Sequence, residues 1–247
     1  MENTSVSKRV WGPWATAGFG IVVIVISLIT QVLVVGVFAV IRLIPDAILS
    51  PSQLVDALSS RLGLLTALST FASAVVCVGL IIAIVKVRRS ATVVEYLGLR
   101  PITGMTILVT LAITAGFMIL SEGLSISLER PVPEFMVDVY NTSVWPALLW
   151  ISIVIFAPAF EETFFRGFLF EGFRRSRIGI SGTIGLTALV WALSHVQYGT
   201  YEIVTIFVMG IILGIVRLKT GSLWSTLLMH ALYNLIAMLQ MTLYING

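Results

Sequence analysis

The chain has 247 residues, of which 58% are hydrophobic and 11% charged, and its formal net charge is +3. A soluble domain carries roughly 25% charged residues, and with a mean hydropathy of +1.04 this much apolar surface cannot be hidden in one water-soluble core, so the solvent is lipid. A lone cysteine, Cys77, excludes a disulfide scaffold, and basic residues scattered over short loops exclude a nucleic-acid partner.

A bilayer core of about 30 Å needs roughly 20 mostly apolar residues per helix. Taken in order, the segments 14–44, 64–87, 102–126, 145–173, 181–198, 200–218 and 221–243 meet that demand or come close to it. The expected fold is all-α, a polytopic bundle of about seven spans with room for an eighth helix. It forms one membrane domain over 1–247, with N-terminal spans in 1–90 and the chemistry-bearing core in 91–243. Lys8 and Arg9 precede an apolar run far longer than the roughly 7–15 residues of a signal peptide, so the first segment reads as a retained anchor. The Lys219–Ser222 connection is short enough to make its flanking helices antiparallel neighbours.

Orientation follows the distribution of lysine and arginine. Lys8, Arg9, Lys86, Arg88, Arg89, Arg100, Arg174, Arg175, Arg177, Arg217 and Lys219 fall on one side under alternating topology, and they are eleven of the fifteen basic residues. Arg42, Arg61 and Arg130 fall on the other side with the acidic Glu129, Glu134 and Asp138. The expectation is a multi-pass integral membrane protein with a cytoplasmic N-terminus, in the plasma (inner) membrane of a bacterial host.

Ionisable groups inside a span cost about 2.5–3.5 kcal/mol for Asp, Lys or Arg on insertion scales. Segments one to three hold almost none between their ends. Segment four holds Glu161, Glu162 and Arg166, segment five His195, and segment seven His230, and these are the only two histidines of the chain. Counting about 1.5 Å per residue from the basic side, Glu161, His195 and His230 lie roughly 20, 21 and 14 Å deep. They can therefore meet near the midplane, and the expected cavity opens toward the basic side. Glu162 and Arg166 are spaced i,i+4 and can pair, as can His230 and Asn234. A Glu162–Arg166 pair could equally be a structural clasp, and Asn234 alone could be interhelical glue.

A glutamate in a low-dielectric site can act as a general base, and with His195 it could deprotonate a water. His230 and Asn234 could donate to the oxyanion of a tetrahedral intermediate. Together these steps amount to peptide hydrolysis within a membrane. No His-Glu-x-x-His or Gly-x-Gly-Asp motif offers another protease design.

At these residues the chain resembles the CAAX-protease and bacteriocin-processing (CPBP) family of intramembrane endopeptidases. Glu161, Glu162 and Arg166 match its Glu-Glu-x-x-x-Arg motif. Trp191-Ala-Leu-Ser-His195 matches Phe-x-x-x-His with Trp for Phe, and His230 with Asn234 matches His-x-x-x-Asn. The resemblance covers about residues 90–240, including the lead-in Tyr96-Leu97-Gly98-Leu99-Arg100-Pro101. It implies that Glu161 and His195 activate the water, that His230 and Asn234 form the oxyanion site, and that Glu162 and Arg166 support Glu161. The Trp191 departure is expected to alter packing and not chemistry. The implied substrate is a membrane-associated protein or peptide, lipidated in those family members that process prenylated CAAX proteins. A metal-free glutamate mechanism is favoured; the alternative is a divalent metal, zinc, held by His195, His230 and Glu161. Other functions are a non-catalytic immunity or scaffold protein on the same fold, and a proton-coupled transporter, for which no internal repeat speaks.

Overall fold

The computed structural model describes residues 10–43 and 50–247, with backbone only at 42 and 43. Lys8, Arg9 and the side chain of Arg42 lie outside the described residues. Those described form helices α1 (Pro13–Leu43), α2 (Pro51–Ser59), α3 (Leu62–Val87), α4 (Val93–Leu97), α5 (Gly104–Ser127) and α6 (Glu134–Asn141). They continue as α7 (Pro146–Phe173, assembled from shorter segments), α8 (Gly179–Leu193), α9 (Thr200–Thr220) and α10 (Leu223–Asn246), and no strand occurs among them. The all-α polytopic architecture is as expected. Six helices, α1, α3, α5, α7, α9 and α10, are long and apolar enough to cross a bilayer.

The fifth segment differs from expectation. Helix α8 ends at Leu193, giving 15 residues, or about 22 Å at 1.5 Å per residue. Ser194 and His195 donate their N–H groups back into the last turn and close it, so His195 lies just beyond the helix. Although short, α8 still carries the chain from one end of the bundle to the other.

The two ends differ in charge. At the first, Arg88 Nε donates to Val10 O (3.3 Å), Leu223 N to Gly98 O (2.8 Å) and Ser222 Oγ to Arg100 O (2.5 Å). These bonds gather the basic 87–100 and 217–222 connections, and the 174–177 turn borders the same space. At the other end Arg130 pairs with Glu202 (3.5 Å) and lies over the Tyr201 ring, while Gly63 N donates to Thr142 Oγ1 (2.8 Å).

Local sequence explains the element limits. Thr92 and Glu95 form a reciprocal cap at the start of α4, and Gly98 ends it in the left-handed conformation, φ 71°. Burial pushes the Tyr96 phenol of α4 up to about 12, so this side chain, stacked on Phe168, stays neutral. Helices α8 and α9 approach closely because Gly210 and Gly214 face Ala188 and Ile184. A Cβ on either glycine would come within 2.9 Å of those side chains. This is the small-xxx-small packing of membrane helices.

Candidate active site

Helix α7 is interrupted twice, by π-helical turns at Ser152–Phe156 and Thr163–Leu169. Pro158 explains the first. Proline has no N–H to donate and crowds the preceding turn. The Ala157 N–H reaches back to Ser152 O, and the donor that would serve Ile153 O in the same wide register is the missing N–H of Pro158. Asn234 Nδ2 from α10 takes that place, donating to Ile153 O at 2.8 Å. Between the two π turns, one regular stretch, Ala157–Glu162, presents Glu161 and Glu162.

The two carboxylates face different surroundings. Glu162 is fully buried, and its Oε1 accepts from Arg166 Nη1 (2.9 Å) and lies 3.0 Å from His230 Nδ1. The Glu161 side chain keeps 22% of its surface exposed, and its Oε2 lies 4.0 Å from His230 Nε2. It also accepts a hydrogen bond from the indole Nε1 of Trp191. His230 therefore bridges the two glutamates. With Nδ1 donating to the buried carboxylate, a neutral imidazole leaves Nε2 unprotonated toward Glu161.

Trp191 is the hub. The Arg166 guanidinium lies over its ring at 4.4 Å, and the His195 and His230 rings meet it edge-on at 5.4 and 5.2 Å. Arg166 is held from the far side by Gly210 O, at 3.3 Å from Nη2. His195 Nδ1 lies 2.8 Å from Trp191 O. A carbonyl only accepts, so Nδ1 carries the proton and Nε2 of the neutral ring is free to accept one. His195 also stacks on Tyr198, which meets Phe135 of α6 edge-on.

The structure thus brings Glu161, Glu162, Arg166, His195 and His230 around one indole. Asn234 stands one turn further along α10, bound to α7. Three arrangements differ from the sequence expectation. Glu162 is shared between Arg166 and His230, a partnership across 68 positions that helical spacing does not reveal. Trp191 supplies an N–H to Glu161 that phenylalanine would lack, so the departure reaches the hydrogen bonding of the carboxylate and not packing alone. His195 lies beyond the end of α8 and not inside a span, because the chain leaves the helix before the histidine. The Gly210-x-x-x-Gly214 spacing was the available sign of how closely α9 approaches the cluster.

Among the described residues no three His, Cys, Asp or Glu side chains group closely enough to hold a metal ion.

Residues 143–236 match the family model described as Type II CAAX prenyl endopeptidase Rce1-like. That stretch contains every residue of the cluster. A protein of Escherichia coli, described as an uncharacterized 24.3 kDa protein, is 31% identical over 109 residues, which are 42% of this chain and 50% of the relative. The chain spans about half the length of the curated relative it matches. No solved structure matches it.

Proposed function

We propose that the chain is an intramembrane endopeptidase that hydrolyses a peptide bond of a membrane-associated protein or peptide, a reading supported by the match of residues 143–236 to the Type II CAAX prenyl endopeptidase Rce1-like family model. The observation that carries this reading is the pairing of one buried, neutralised carboxylate with one accessible carboxylate on consecutive residues. Arg166 and His230 share Oε1 of the buried Glu162, and Glu161 faces His230 Nε2 with exposed surface to spare.

Glu161 takes a proton from a water as that water attacks the scissile carbonyl, and the Trp191 N–H fixes the carboxylate's orientation. Nε2 of His195, directed by the Trp191 carbonyl on Nδ1, holds the same water. Nε2 of His230 receives the proton from Glu161, and the resulting imidazolium is stabilised by Glu162. It then serves as donor, first to the oxyanion and then to the departing amine. Asn234 has a second amide N–H beyond the one given to Ile153 O, and this can face the oxyanion. The proposed mechanism uses no metal, and the proposed setting is the plasma membrane with a cytoplasmic N-terminus.

The test is cleavage of farnesylated and unmodified CAAX-type peptides by the purified chain in detergent, read by mass spectrometry. Turnover that survives a chelator and disappears in Glu161→Gln is expected. Loss of turnover on chelation, restored by zinc, would overturn the metal-free mechanism. Equal turnover of wild type and Glu161→Gln would overturn the assignment of the base. Preference between the two peptides decides whether the substrate is prenylated.

A further inference from the structure

The basic end of the bundle encloses a cavity of about 290 Å³, remote from Glu161 and bordered by α4, the end of α7 and the α9–α10 turn. Among the described residues its charged lining is Arg100, Arg174, Arg175, Arg217, Glu95 and Glu171. Glu171 is already divided between Arg174 (2.7 Å) and Arg175 (3.3 Å). No ion pair among the described residues includes Arg100 or Arg217.

Arg217 is the unusual member, since it is only 5% exposed. Its Nε donates to Arg166 O (3.0 Å) and its Nη2 to Leu97 O (3.4 Å). Two carbonyls hydrogen-bond the guanidinium without neutralising it, and Glu171, which attracts it, is already bound by Arg174 and Arg175, so the buried charge is incompletely compensated, which is costly. The backbone nonetheless makes room for it. Gly98 lies against the guanidinium, and a Cβ at that position would run into Nη2. The chain therefore holds a buried cation at the wall of a cavity whose described lining carries two more arginines than glutamates.

We propose that this cavity binds a phosphate group, with Arg100 and Arg217 as its charge partners. Guanidinium groups match phosphate oxygens in charge and in donor geometry. The volume lies just below the roughly 300–1,000 Å³ of sites for drug-sized ligands, which suits a headgroup-sized anion. Basic pockets between membrane helices recognise phospholipid headgroups, and free phosphate offers the same chemistry from the aqueous side. This site stands independently of the protease assignment.

The test is thermal unfolding of the full chain in a neutral detergent, titrated with phosphatidylglycerol, diacylglycerol, inorganic phosphate, or sodium chloride at matched ionic strength. Phosphatidylglycerol is expected to raise the midpoint where diacylglycerol and chloride do not. If inorganic phosphate raises it equally at the same concentration, the ligand is the free anion; if it does not, the ligand is the lipid headgroup. Arg100 is exposed, so Arg100→Gln folds normally, and it should raise the concentration needed for half the shift by about tenfold. Arg61→Gln, at the opposite end, should leave that concentration unchanged. The proposal is overturned if neither phosphate source shifts the midpoint beyond the controls. It is equally overturned if Arg100→Gln responds as wild type does, or if both arginine variants lose the shift alike.

Discussion

Glu161 and Glu162 are chemically identical neighbours, and only their surroundings separate them. Removing the charge of Glu162 leaves Arg166 buried without its partner and His230 without its carboxylate, a change that costs roughly 3–5 kcal/mol. Glu162→Gln is therefore expected to lower the unfolding midpoint sharply and activity with it. Glu161→Gln should unfold like wild type and be inactive. Unfolding and turnover of both variants in one detergent check this, and a stable, inactive Glu162→Gln beside an active Glu161→Gln would exchange the two roles. Trp191→Phe retains a ring between the two imidazoles but removes the N–H given to Glu161. Turnover is expected to fall about tenfold to a hundredfold, since a hydrogen bond to a charged group is worth about 1.5–3 kcal/mol, while KM for the peptide stays close to wild type. A loss confined to KM would make Trp191 a wall for substrate instead. At this scale the sequence was informative about which residues gather, because charge inside an apolar span is conspicuous. It was silent on who pairs with whom, because His230 reaches Glu162 through tertiary packing and the indole N–H of Trp191 looks the same in any environment.

Among the helices, α7 carries the most consequence. Its two π turns were not legible in the sequence beyond Pro158 itself, and its apolar composition fits a regular span equally well. The exchange between Pro158 and Asn234 gives a coupling that can be measured. Asn234→Ala leaves the part-buried Ile153 O without its side-chain donor, which costs up to about 1–3 kcal/mol. It should also reduce turnover by about 10²–10³ if its remaining N–H faces the oxyanion. Pro158→Ala restores a backbone N–H at the position where Ile153 O needs one. The double variant is therefore expected to recover part of the stability lost in Asn234→Ala without recovering its turnover. A double-mutant cycle by chemical unfolding, paired with peptide cleavage, reads both quantities. Strict additivity would mean that Asn234 does not compensate for the proline. The limits of the other long helices followed closely from hydropathy and caps. Helix α8 did not: the expected segment ran to residue 198, but the backbone turns after Leu193, where Ser194, His195 and Gln197 interrupt the apolar run.

Across the whole molecule, the arrangement of charge makes a directional claim. Alternation through α1, α3, α5, α7, α8, α9 and α10 places the 87–100, 174–177 and 217–222 connections at one end, and the bonds from Arg88, Ser222 and Leu223 hold that end together. This much was readable from lysine and arginine positions alone, since the bias acts on loops and needs no knowledge of packing. Helix α8, at about 22 Å, is the weak point: if it turned back without crossing, α9 and α10 would reverse relative to the membrane while α1 to α7 would not. Labelling with a membrane-impermeant thiol reagent separates these cases. Cys77 is buried, and Cys77→Ser provides a silent background. Ser90→Cys and Asn141→Cys report the two sides before α8, and Asn246→Cys reports the side after α10; all three positions are exposed. In intact cells Asn141→Cys and Asn246→Cys are expected to react, and Ser90→Cys only after the membrane is opened. Protection of Asn246→Cys together with Ser90→Cys would mean that α8 re-enters instead of crossing. The Ser222–Arg100 and Leu223–Gly98 bonds would then have to span the bilayer, which at 2.5 and 2.8 Å they cannot do.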